Sequence, residues 1–185
     1  EMCLGNTLGF VTYLVDPVRP GALAQLASEP RFLAETLLGI VSIAFVSLVA
    51  FRSAIPARLT RSFAVVGLVL MALWLAQYVI GFASPALEPS ELGKRGHCFL
   101  ETLVYSLPPI MAGVFLVRRL FPLRYVRTAM TLSLAAGMIP ALYMQLACMY
   151  ESSHIFSHHI LPGLLMVFAG AAIAAIWRQP SRGSA

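Results

Sequence analysis

Long apolar runs separated by short polar ones dominate this chain, and their lengths match the roughly 20 residues that a membrane-spanning helix needs. Five runs qualify: Phe32–Phe51, Ser62–Phe82, Phe99–Val117, Thr128–Ala147 and Ile155–Trp177. The opening stretch, Met2–Val15, is apolar but too short. It reads as the outer part of a further span whose beginning lies outside this chain. The pattern therefore predicts an all-α transmembrane bundle of about six spans, the first incomplete, forming one unit over residues 1–185 with no second domain. Asp16–Arg31 and Ala83–His97 are rich in Pro, Gly, Ser and Glu and read as ordered surface loops, the first with a short helical turn. The tight links Arg52–Arg61 and Arg118–Arg127 make the second and third spans antiparallel neighbours, and likewise the fourth and fifth.

Composition agrees with the pattern. The 185 residues are 59% hydrophobic and 11% charged, with a mean hydropathy of +0.81, whereas a soluble domain carries about 25% charged residues. The net charge of +5 invites a nucleic-acid reading. The placement of the charges removes it. Nine of the thirteen cationic residues (Arg52, Arg58, Arg61, Arg118, Arg119, Arg124, Arg127, Arg178 and Arg182) lie on alternate links with no acidic residue among them. The other links mix Arg19, Arg31, Lys94 and Arg95 with Asp16, Glu29, Glu88, Glu91 and Glu151. The positive-inside rule puts the arginine-only links in the cytoplasm and the mixed ones in the periplasm of a bacterium, with the bilayer and not DNA or RNA as the surrounding partner. The first residues lack the basic region and cleavage site of a secretory signal, and no phosphate loop or nucleophile elbow is present.

The chemistry gathers at the outer ends. Cys98 opens the fourth span and Cys148 closes the fifth, which sets both thiols at one depth. Such a pair is compatible with a structural disulfide, with a metal or redox-responsive site, or with unpaired buried thiols. As thiolates the two suit zinc or copper(I). Glu101 follows Cys98 by three residues, Glu151 follows Cys148 by three, and His154 and His158 are four apart on one helical face. With His97 beside Cys98, these complete the candidate metal ligands: Cys98, Cys148, His154, His158, His97, Glu101 and Glu151. His97 also reads as an ordinary interfacial polar group, as does His159, and Cys3 reads as a packing residue. Glu35 and Gln77 lie near the outer leaflet, where a carboxylate reaches headgroup water. Pro108–Pro109, Pro140 and Pro162 interrupt helical hydrogen bonds and offer kinks that shape packing or act as hinges.

Three stretches carry a family resemblance: "EPRF" (Glu29–Phe32), "HCFLETLVYSLPP" (His97–Pro109) and "RRLFPLRYVRTAMTLSLAAGMIPALYMQLAC" (Arg118–Cys148). On these the chain resembles the NrsF-type negative regulators of sigma factors, six-span proteins of the bacterial inner membrane. The resemblance implies a sigma factor held through a cytoplasmic amino-terminal segment, which this chain does not display. It also implies two outward cysteines, here Cys98 and Cys148, that sense heavy metal or oxidation. Family members often continue the second cysteine as C-P-E-D followed by W-Y, whereas this chain reads "CMYESSHIFSHHILPG". That histidine-rich departure suggests a changed ligand set. Its rival is an accessory subunit of a larger respiratory or photosynthetic membrane complex, holding copper or, less readily, haem through His97, His154 or His158. A membrane thiol oxidoreductase lacks its usual C-x-x-C pair, and a transporter lacks mid-membrane acid–base pairs, so no catalysis is expected.

Overall fold

The computed structural model describes residues 18–120 and 122–177. The expected first span, Cys3, and the terminal arginines Arg178 and Arg182 lie outside the described residues. A short helix α1 (Ala22–Ser28) leads into α2 (Pro30–Ala54), followed by α3 (Arg61–Gly81), α4 (Cys98–Arg119) and α5 (Tyr125–Ala147). The last helical run, Ser152–Ile176, is built from α6 (Ser152–Ile155), a π-helical turn (Phe156–Ile160) and α7 (Leu161–Ile176). Five of these runs are long and apolar enough to cross a membrane, at the five predicted places. The described residues contain no strand, only one isolated bridge between Ser90 and Tyr150.

Local chemistry sets the helix ends. Pro30 sits in the first turn of α2, where its missing N–H is no loss, and it forces Glu29 before it into extended backbone. The Thr60 hydroxyl accepts from the Phe63 N–H and caps α3. Arg118 and Arg119 occupy the last turn of α4, where cations meet the negative end of the helix dipole. Because these caps and turns extend past the apolar runs, α2, α4 and α5 overshoot the predicted spans by a few residues, while α3 keeps the predicted length.

Helix α5 is the axis of the bundle, packing against α7, α4 and α2, while α2 also packs on α3. Both predicted hairpin pairs are therefore in contact. Small residues allow this central placement: Ala129, Ala135, Ala136 and Ala141 are buried along α5. At the α5–α7 crossing a methyl group built on Gly137 would press into the backbone of Gly163, so neither position has room for a side chain. Gly137→Ala is expected to destabilise the protein by about 1–3 kcal/mol, read as a lowered thermal midpoint in detergent. The helix faces turned away from this core are apolar, with Leu68 70% and Phe168 69% exposed. Such surfaces on long helices mark a membrane protein.

The ends of α4, α5 and the last helix that lie together are roofed by the two polar segments predicted as surface loops. Arg19 donates its backbone N–H to the Leu146 carbonyl at the end of α5. Its guanidinium, only 5% exposed, donates to Gln25 and lies over the rings of Phe32 and Tyr150. Tyr150 in turn accepts from the Ala86 N–H, and Arg95 donates to the Ala147 carbonyl. Glu35, near the same end, pairs with Arg31 at 3.0 Å, the surface-reaching behaviour expected at that depth.

Candidate metal centre

Beneath this roof the two thiols meet. Cys98 is the first residue of α4 and Cys148 is the extended residue that ends α5, so the α4–α5 hairpin delivers both sulfurs to one level. They are 2% and 0% exposed, and their Sγ atoms lie 3.0 Å apart as free thiols. The Cys98 sulfur also lies 3.3 Å from the Arg95 carbonyl. The Cys98 thiol, against the opposing effect of burial, and then His159 and His154 hold Cys148 well below the ordinary thiol value. That lowering favours the thiolate form, which binds metals and attacks oxidants.

Two imidazoles complete the cluster, and one is not the predicted one. His154 Nε2 lies 3.4 Å from Cys148 Sγ. The second imidazole is His159, 0% exposed, whose ring meets that of His154 edge-on at 5.1 Å. One ligand atom from each of Cys98, Cys148, His154 and His159 lies within 4.8 Å of the others. Reading His154 and His158 as a face of an α-helix assumes bonds between residues four apart. The chain here instead makes a π turn, in which the Leu161 N–H bonds to the Phe156 carbonyl five residues back. Five-residue spacing brings His159 beneath His154. His158 is left exposed, stacked flat on the outer side of His154 at 4.4 Å with Nδ1 2.7 Å from the Ser157 hydroxyl.

A physical cause of the π turn stands in the sequence. Pro162 has no N–H for the carbonyl of His158 four residues earlier, and its ring crowds that carbonyl. The wider turn relieves the crowding, and the buried Thr102 hydroxyl on α4, whose shorter bond goes to the Cys98 carbonyl at 2.9 Å, also lies 3.3 Å from the freed His158 carbonyl.

The remaining candidates are placed elsewhere. His97 is the exposed residue before α4, and its carbonyl accepts from the Glu101 N–H. Glu101 faces Arg95 at 3.8 Å, held in an ion pair. Glu151 caps the last helix, accepting from the N–H groups of Ser153 and His154. Although burial works against it, a bond from the Ser153 hydroxyl and then those N–H groups hold its carboxylate below the usual range. None of the three belongs to the four-donor cluster.

The four-donor set fits a soft or borderline cation. Zinc bonds of about 2.3 Å to sulfur and 2.0–2.1 Å to nitrogen in a tetrahedron separate neighbouring donors by roughly 3.3–3.8 Å. The present spacings reach that arrangement with shifts of about an ångström or less. Both ring nitrogens of His159 are buried without a hydrogen bond, a costly state that a ligand on one of them relieves. The wall around the sulfurs is apolar and soft, made by Met144, Met149 and Ala147.

A family model described as negative regulator of sigma F (NrsF) matches residues 3–178. The chain belongs to that family. No curated protein and no solved structure matches it. Membership in NrsF identifies a negative regulator of a sigma factor, and the family is one of regulators and not of enzymes. In this NrsF chain the matched region includes all four donors of the cluster as well as the five apolar helices.

Proposed function

We propose that this chain is a multi-pass regulator of the bacterial inner membrane that holds a sigma factor inactive and releases it when its outer thiol–imidazole cluster takes up a metal ion or is oxidised. The observation that carries this reading is the convergence of Cys98, Cys148, His154 and His159 at one end of a membrane bundle. The arginines of the α2–α3 and α4–α5 links stand at the other end, about 30 Å away along α4. By the positive-inside rule that end is cytoplasmic and the thiols are periplasmic. The sigma factor is the cytoplasmic partner, held as in the resembling proteins by an amino-terminal cytoplasmic segment.

The cluster couples three helix ends. Cys98 starts α4, Cys148 ends α5, and both histidines lie in the first turns of the last helix. An ion bound by all four donors ties those ends to one another, bringing the histidine end in while setting the two sulfurs slightly apart, and oxidation of the two thiols to a disulfide, with loss of two protons and two electrons to an oxidant, draws the first two ends together. Pro108–Pro109 in α4 and Pro140 in α5 lie between the cluster and the arginine end and give these helices places to bend. Only a ligand that prefers the drawn-in arrangement shifts the balance.

The test is a reporter for the cognate sigma factor in cells exposed to zinc, cadmium or a thiol oxidant. The wild-type chain is expected to repress without stimulus and to release on exposure. Cys98→Ser and Cys148→Ser, present at wild-type membrane levels, are expected to repress throughout. Release by both variants at the wild-type dose would overturn the proposal.

A further inference from the structure

The end of the bundle opposite the thiols carries a second built feature that the sensor reading does not use. Between the end of α4, the α4–α5 turn and the end of α7 lies a cavity of about 710 Å³, lined by Arg118, Arg119, Arg124, Arg127, Tyr125 and Trp177 among others. The ion pairs among the described residues (Arg31–Glu35, Glu91–Lys94 and Arg95–Glu101) involve none of these four arginines. Positive-inside topology accounts for cations at this end but not for their convergence on a cavity.

Two further groups point the same way. Helix α5 starts at this cavity with Arg124 in the capping position, and its first N–H groups have no side-chain cap. The Tyr125 hydroxyl, in the first turn, is buried and has no hydrogen-bond partner. Cations, open helix N–H groups and an unpaired hydroxyl together ask for an anion with several acceptor oxygens. The same cavity also has an apolar side: Arg119 lies over the Phe115 ring at 4.5 Å, and Leu123 is 85% exposed. A free inorganic anion leaves that side unused. The cavity stands at the ends of apolar helices, and the topology proposed above sets it at the level of the lipid headgroups.

We propose that this cavity seats the phosphate headgroup of an anionic phospholipid. The phosphodiester oxygens take the arginines, the Tyr125 hydroxyl and the α5 N–H groups, while the glycerol and upper acyl carbons lie along Phe115, Leu123 and Trp177. The site is independent of the thiol cluster and of any signal read there.

Native mass spectrometry of the purified full chain, titrated with phosphatidylglycerol or with phosphatidylcholine, tests this. Wild type is expected to retain phosphatidylglycerol in clear preference to phosphatidylcholine. Arg118→Gln and Arg124→Gln are each expected to lower that preference about fivefold, and Tyr125→Phe to lower it less. Arg58→Gln, at the same end but outside the cavity, is expected to leave it unchanged. The thermal midpoint of each variant reports whether it is folded. Equal retention of the two lipids overturns the proposal, as does an equal loss in Arg58→Gln, which would mark general surface charge. Displacement of the lipid by millimolar inorganic phosphate would show a free-anion site instead. Displacement by a polyglutamate peptide at micromolar concentration would assign the cavity to an acidic protein partner. Either result contradicts a lipid site.

Discussion

Replacing both thiols, Cys98→Ser with Cys148→Ser, is expected to lower zinc affinity on the order of a thousandfold or more, measured by competition with a chromophoric chelator. The replacement keeps the shape of each side chain, so packing changes little. What it removes is the ionisable sulfur: a serine hydroxyl stays protonated where the Cys148 thiol is held toward its thiolate. Cysteine-rich structural zinc sites derive about 10–16 kcal/mol from binding, and two of the four proposed ligands are sulfurs. Metal ligands bind deprotonated, so affinity is expected to fall as acid returns protons to the four donors. Unchanged zinc affinity in the double variant would remove the thiols from the centre.

The second large effect separates two adjacent histidines. His159→Gln, which retains bulk but supplies a poor ligand, is expected to weaken zinc binding by at least about ten- to a hundredfold, the loss that even an outer-shell partner produces. His158→Ala is expected to bind within about twofold of wild type, because its ring is exposed and stacked on the far side of His154. Thermal midpoints of both variants, taken without metal, keep a folding defect at buried His159 apart from a ligand defect. The reverse ranking would mean that the last helix continues as a regular α-helix past His154.

These two histidines show where sequence reading succeeds and where it stops. Apolar run length is a property of the chain alone, so the five described spans were legible, and the short arginine links fixed which helices are neighbours. The shared depth of Cys98 and Cys148 followed from the same counting and needed no tertiary knowledge. The histidine ligand set did not: His154 and His158 stack as neighbours four apart, but the wider turn brings His159 and not His158 to the thiols. Pro162 was the available signal, because a proline four residues after His158 denies that carbonyl its partner. The sequence alone does not show that Thr102, sixty positions from Pro162, comes within 3.3 Å of the freed carbonyl. Glu151 and Glu101 stand outside the four-donor cluster for similar reasons: a helix end and an arginine from the loop engage them. Arg19 likewise looked like a loop cation, and only the folded chain brings Phe32 and Tyr150 to its guanidinium.

The composition of the proposed centre can be read directly by zinc-edge X-ray absorption of the purified chain loaded with one equivalent of zinc. The expected first shell holds two sulfur atoms at about 2.3 Å and two nitrogen atoms at about 2.0–2.1 Å, with the outer scattering of imidazole rings. A shell of nitrogen and oxygen without sulfur, or failure to take up the ion, would contradict a metal centre made by Cys98, Cys148, His154 and His159.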